Sequence, residues 1–405
     1  MIGLSALEGF SYVVFVLFGA DVNSRQRMQT AMSLGMPDRV PLMCQMSIGH
    51  MLLNLDVSPV EFWWDAGTFA DGLIALRDRY DFDGVLVSLH GHDTDWRSRV
   101  LRSRLTPEGE EVFWRDGSRT VHARDELPRY LPAGDAPTGP EKTRLPDRLE
   151  YIPVTQGVRF KIDLEHEFDI LHLVRRKIGE GISLHGEVTS PFDYYLDFVG
   201  HQEGLLGLID SPAKAKEILD HFTRLVRDCA VRMCATGIDA MKVSSPYAGA
   251  GFISRGFYSE FVLPCEAEIA RAVRSTGVHL YTHTCGAVGD RLDLMLSAGI
   301  SGIECLDPPP LGNVDLSEAK SILAGRAFIK GNIDSVNVLV DRSPDEILAD
   351  AKRRIEVGKI GGGFILSTAC SVAPRVPPKH VLMLREAVER WGQYEPTLSI
   401  GGGRE

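Results

Sequence analysis

The chain has 405 residues, 44% hydrophobic and 24% charged, with 55 acidic against 44 basic side chains and a formal charge of -11. That length allows a large buried core in one large domain or two medium ones, and the acidic balance excludes non-specific nucleic-acid binding. Seven cysteines, an odd number scattered through a long chain, exclude a dense disulfide scaffold and point to thiols in a reducing, cytoplasmic compartment.

Residues 1–23 include the apolar run Phe10 to Ala20, which is too short to span a bilayer. Its only preceding charge is Glu8, where an export signal needs basic residues, so an N-terminal extension is expected. Helical spacing over 24–34 is broken by Pro37-Asp-Arg-Val-Pro41, and a first strand is expected over 40–46. A helix over 59–80 leads to Gly84-Val-Leu-Val-Ser-Leu-His90, an apolar run of the kind that makes a parallel strand covered on both faces. Over 91–153 the pattern changes. Stretches 96–104, 111–115 and 119–124 alternate apolar and polar residues between Gly-containing turns, which predicts a β-meander inserted after the second strand.

Strands and helices then alternate to the end of the chain. A helix over 165–179 precedes a strand over 182–188, and Ser211-Pro212 opens a strong helix whose apolar stripe runs to Cys229 before Gly237 stops it. Strands are expected over 239–245, 278–283, 302–307, 326–331 and 363–368, with helices over 257–275, 287–298, 316–323 and 378–391. Ser343-Pro-Asp-Glu346 is a capping box for a helix ending at Gly358. Residues 396–405, with Gly401-Gly-Gly403, are expected to be a flexible tail. Eight strand candidates, nearly all followed by a helix, predict a single (β/α)8 TIM barrel over 24–395.

In such a barrel the chemistry sits at the C-terminal ends of the strands. His283 and Cys285 lie two residues apart, so a strand throws both to one face. Cys370 ends the last strand. Together they are three nitrogen and sulfur ligands for zinc, leaving a fourth position for water, a substrate or a carboxylate such as Asp307 or Glu304. With two thiolates the metal holds a bound thiol as a nucleophilic thiolate rather than strongly polarising a carbonyl.

His283-Thr-Cys-Gly286, Lys330-Gly-Asn-Ile-Asp334, the 361–370 strand and Val376-Pro-Pro-Lys-His380 resemble the uroporphyrinogen decarboxylase superfamily. Within it they are similar to the zinc-dependent, corrinoid-linked methyltransferase branch, and the stretch from Ser24-Arg-Gln-Arg27 to Pro41 resembles that family's start. The resemblance implies zinc on His283, Cys285 and Cys370, with Asp307 as the matching carboxylate. It also implies methyl transfer between a corrinoid (cobalamin) on a partner protein and a small thiol, methoxy or methylamine compound. The segment 41–50 contains no arginine, whereas the decarboxylases hold propionates there with arginine. Porphyrinogen decarboxylation is therefore the alternative, and a non-catalytic zinc-stabilised binding barrel a third reading.

Other residues carry two readings each. Glu187 either protonates a leaving oxygen or nitrogen or is a hydrogen-bonded interior carboxylate. His90 and Asn332 are candidates for contacting the corrinoid, against a solvated loop histidine and a residue that shapes the mouth. Cys305 stands one residue off the parity of Glu304 and is expected, like Cys44, Cys229, Cys234 and Cys265, as a small buried hydrophobe. The expected partners are a corrinoid protein and a small molecule, with a second copy of the chain as a candidate; no nucleic acid and no membrane is expected.

Overall fold

Seven parallel strands set the frame of the molecule. The computed structural model describes residues 22–133, 144–154 and 158–395. The tail 396–405, and the expected N-terminal extension apart from Val22 and Asn23, lie outside the described residues. In chain order the strands are β1 (Gly84–Val87), β2 (Val100–Thr106), β3 (Gly109–Trp114), β4 (Arg119–His122), β5 (Arg129–Leu131), β6 (Tyr151–Pro153) and β7 (Arg159–Lys161). They continue with β8 (Ser183–Thr189), β9 (Ala240–Ser244), β10 (His279–Thr284), β11 (Gly302–Cys305), β12 (Phe328–Ile333) and β13 (Phe364–Thr368). Strands β1 and β8 to β13 form one curled sheet in that order, every neighbouring pair parallel. Strands β1, β11, β12 and β13 are buried along their whole length, and β1 and β13 stand out for it as apolar runs, whereas β11 and β12 carry Glu304, Lys330 and Asn332.

Between β1 and β8 the chain makes two small antiparallel sheets, β2-β3-β4-β5 and β6-β7. The first antiparallel strand begins later than the alternation suggests, because Trp96–Arg99 is a 3-10 turn.

Residues 40–46 form no continuous ladder, contrary to expectation. Pro41 has no N–H to give, and the segment joins its neighbours through separate bonds. Toward β13, Met43 N–H donates to Leu366 O (3.1 Å), Leu366 N–H to Pro41 O (2.9 Å) and Val372 N–H to Gln45 O (2.8 Å). Toward β1, Asp83 N–H donates to Leu42 O (2.7 Å) and Leu42 N–H to the Asp83 carboxylate (2.8 Å). Fully buried Asp83 also accepts from Arg27 (2.7 Å) and Arg39 (2.9 Å), which gives its charge the partners burial requires.

Helices fill the intervals between the parallel strands. The single helix expected over 59–80 is two, Pro59–Trp64 and Ala66–Tyr80, because Asp65 takes extended backbone and its carboxylate accepts from Thr68 N–H (2.9 Å). The helix expected over 257–275 is interrupted by a π turn, Tyr258–Val262. Helices Ile48–Asn54, Pro191–Val199 and His201–Asp210 have no expected counterpart. The capping box of Ser343 and Glu346 is present, whereas Ser211 makes no capping hydrogen bond. No helix among the described residues is long and apolar enough to cross a membrane.

Candidate metal centre

The concave face of the sheet carries charge where a core is usually apolar. Lys242 of β9 and Lys330 of β12 are fully buried. Lys242 Nζ donates to Gln45 Oε1 (2.6 Å) and lies 3.1 Å from Glu187 Oε2 and 3.7 Å from Glu304 Oε2. Lys330 Nζ donates to Glu304 Oε1 and to Ser367 Oγ (3.3 Å). Two buried cations thus face two buried carboxylates, the condition under which such charges are tolerated. Burial opposes ionisation of Glu304, but Lys330 and Lys242 outweigh it and hold its carboxyl well below the usual range. Burial likewise opposes the charge on Lys242, and Glu187 and Glu304 more than compensate, so its pKa is raised.

Glu304 fixes His283. The two residues are register partners across β10 and β11, and His283 Nδ1–H donates to Glu304 Oε2 over 2.8 Å. A neutral ring held this way would offer its Nε2 lone pair to a metal, and Nε2 lies 3.4 Å from Cys285 Sγ and 4.0 Å from Cys370 Sγ. The two sulfurs are 3.7 Å apart. Their neighbourhood holds the Cys370 pKa well below that of an ordinary thiol: hydrogen bonds from Cys285 and Cys305 outweigh the burial that raises it.

These spacings fit a zinc ion. With Zn–S near 2.3 Å and Zn–N near 2.05 Å, a tetrahedral centre sets its sulfurs about 3.8 Å apart and sulfur about 3.6 Å from nitrogen. A carboxylate on the far ring nitrogen is the usual support of a metal-binding histidine. Glu304 therefore stands behind the ring rather than in the fourth position.

Cys305 joins this group, against the strand-parity expectation. Its Sγ, the Cys285 Sγ and a His283 ring nitrogen all lie within 4.8 Å of one another. Alternation fails because Cys305 and Leu306 have left-handed backbone, φ +82° and +60°, which turns the thiol back toward the site. The turn is held by Asn332, whose Nδ2 donates to Leu306 O (2.8 Å) while its Oδ1 accepts from Arg354 (2.6 Å).

Asp307 is a neighbour of the cluster. Its Oδ2 accepts from Gly286 N–H (2.6 Å) and from the Cys305 thiol (3.3 Å), and burial raises its pKa. Two loops meet here at backbone contact: a Cβ at Gly312 would stand 2.3 Å from Asp307 O and 2.7 Å from Gly286 O, so only glycine fits.

A cavity of about 400 Å³ opens over the cluster, and His283, Cys285 and Cys370 line it together with Glu187. The volume suits a small molecule. Its wall adds Trp63, His201 and Tyr247, the last two rings in edge-on contact with centroids 4.7 Å apart. Asp125, Glu126, Asp193 and Asp197 also face it, and no lysine or arginine lines it among the described residues. His90 does not line it either. His90 Nδ1 pairs with Glu167 O (3.2 Å) against Phe168, and burial lowers its pKa to about 4. His92 is packed on Phe69 and Phe160, its pKa lowered to about 3 by burial, so neither histidine is a solvated loop residue. Sequence reasoning missed Lys242 and Lys330, although a lone lysine inside an apolar strand was a signal for each.

The uroporphyrinogen decarboxylase (URO-D) family profile matches residues 130–391. Over 223 residues the chain is 25% identical to the methylcobamide:CoM methyltransferase MtaA of Methanosarcina barkeri, covering 55% of this chain and 62% of that protein. The chain thus spans about three fifths of the length of that curated relative. It is 24% identical over 360 residues to the uroporphyrinogen decarboxylase of Chloroflexus aurantiacus, covering 83% of this chain and 93% of that protein. A solved methyltransferase from Methanosarcina mazei is similar in fold, with TM-score 0.69 at 18% identity, over 91% of this chain and 99% of that one.

Proposed function

The chain belongs to the URO-D family, and on that premise we propose that it is a zinc-dependent methyltransferase. It moves a methyl group between a corrinoid on a partner protein and a small thiol, methoxy or methylamine compound held in the cavity. The observation that carries this reading is the spacing of His283 Nε2, Cys285 Sγ and Cys370 Sγ, which suits a tetrahedral zinc, with Glu304 orienting the ring. A bound zinc ion supplies the acidity that keeps a substrate thiol as thiolate near neutral pH. The chain's own residues do the rest. Glu304 fixes the His283 tautomer, Lys242 and Lys330 hold Glu304 ionised, and Glu187 presents a carboxylate to the substrate from the cavity wall.

The wall also ranks the alternative. A porphyrinogen bears many carboxylates and needs cationic partners, yet the described wall offers carboxylates instead. In this reading the scaffold is a (β/α)8 barrel over 24–395 with residues 40–46 as its eighth stave and 91–153 inserted in one loop. Support comes from Gln45, which reaches across the concave face to Lys242 on β9.

The test is metal content together with activity. Protein from metal-replete expression should hold one zinc per chain and demethylate methylcobalamin with a thiol, or methylate cob(I)alamin from a methylated donor. Zinc well below one per chain, or conversion of uroporphyrinogen to coproporphyrinogen without cobalamin chemistry, would reverse the ranking.

A further inference from the structure

The fourth protein ligand can be assigned, and the assignment rests on the metal reading above. His283, Cys285 and Cys370 present one nitrogen and two sulfurs to the cavity, whereas Cys305 is fully buried and does not line it. The Cys305 thiol therefore reaches the cluster from the side away from the cavity, within 4.8 Å of the ligand atoms of both His283 and Cys285. Two successive non-glycine residues in left-handed backbone cost energy, and such conformations persist where surrounding contacts enforce them. Here the enforcing chain is explicit: Arg354 holds Asn332, Asn332 holds the Leu306 carbonyl, and Asp307 accepts from both Gly286 N–H and the Cys305 thiol. All of this turns one side chain, Cys305, toward the site.

The geometry points to Cys305, in place of Asp307, as the fourth ligand of the metal, closing the centre from behind with three thiolates and one imidazole. Three thiolates give a zinc centre a net single negative charge, which weakens its pull on any one sulfur. Asp307 then serves as the positioning residue that aims Cys305 and ties the loop after β11 to Gly286. A substrate thiol would enter through the triangle of His283, Cys285 and Cys370, the face that the cavity exposes, as a fifth ligand or in exchange for Cys305.

X-ray absorption at the zinc edge of the reconstituted full chain tests this directly. Three sulfurs and one nitrogen are expected in the wild type, falling to two sulfurs in Cys305→Ser and in Cys305→Gly. The glycine variant accepts the left-handed backbone without strain, which guards against a folding failure. Cobalt(II) substitution gives a second readout: the sulfur-to-cobalt charge-transfer absorbance should drop by about one third in either variant, one thiolate of three. Two sulfurs in the wild type, with no change in Cys305→Gly, overturns the assignment while leaving the zinc reading intact. A sulfur count that ignores Cys285→Ala and Cys370→Ala, or protein without zinc, overturns that reading as well.

Discussion

Glu304 Oε2 accepts the Nδ1–H of His283 over 2.8 Å, and the same carboxylate meets Lys330 and Lys242 behind it. One buried group thus sets the orientation of a candidate metal ligand and balances two lysines.

Glu304→Gln should therefore loosen the metal without reshaping the site. Loss of such an outer partner lowers metal affinity by roughly 10–100-fold, readable by competition with a chromogenic chelator. Glu304→Ala should be worse for the fold, since removing one partner of buried charges costs about 3–5 kcal/mol. Denaturant unfolding separates the two effects, and equal stability of Glu304→Ala and wild type would refute the buried-network account.

Cys285→Ala and Cys370→Ala should each lose more metal affinity than an outer-partner change, above roughly 100-fold, and abolish methyl transfer. Cys44→Ala and Cys234→Ala, whose buried thiols lie outside the metal cluster, should keep full zinc and lose only packing energy. Metal content by emission spectroscopy on all four variants decides the matter.

Among acceptor thiols, a described wall with no lysine or arginine to pair an anion should favour neutral ones over sulfonated ones. With methylcobalamin as donor, 2-sulfanylethanol should show kcat/KM about tenfold above 2-sulfanylethanesulfonate, equivalent to about 1.4 kcal/mol for a sulfonate left without a cationic partner. Equal values for the two would remove the wall from any role in selection.

The contribution of Glu266 to stability should fall as pH rises from about 4.5 to 7, opposite in sign to that of the buried histidines His90 and His92. Glu266 is buried, and burial raises its pKa to about 7 despite the Tyr258 hydroxyl donating to its Oε2. The folded state keeps that proton in a range where the unfolded chain has released it, so the contribution is complete below about pH 4.5 and lost by about pH 7. Cavity-lining Asp193, raised to about 7 by burial, adds a loss of the same sign. Glu266→Gln should match wild type near pH 4 and exceed it at pH 8 by an amount on the order of 3 kcal/mol. Thermal melts at the two pH values show whether the difference opens.

Much of this was legible in the chain. The apolar runs that became β1 and β13 are buried on both faces, and burial on both faces is what such runs encode. His283 and Cys285 are two apart, and the cavity receives both. Cys305 was not legible, because alternation presumes extended backbone and nothing in Glu304-Cys-Leu306 announces two positive φ values. Residues 40–46 misled for a related reason: their apolar content suits a strand, but Pro41 removes a donor and Leu42 gives its N–H to the Asp83 side chain. The burial of His90 was hidden because it depends on Glu167 and Phe168, far along the sequence.

The Asp83 hub also sets where this protein can be cut. The family match begins at residue 130, but Asp83 gathers Arg27, Arg39 and the Leu42 amide onto the start of β1. A chain trimmed to the matched segment would discard β1, the Gln45 contact to Lys242, and Asp83 together with its partners Arg27, Arg39 and Leu42. It would leave β8 as a raw sheet edge and strand Lys242 beside the metal centre with one fewer acceptor. The segment by which the family is recognised thus omits the first strand of the sheet and a contact network that reaches back to Arg27.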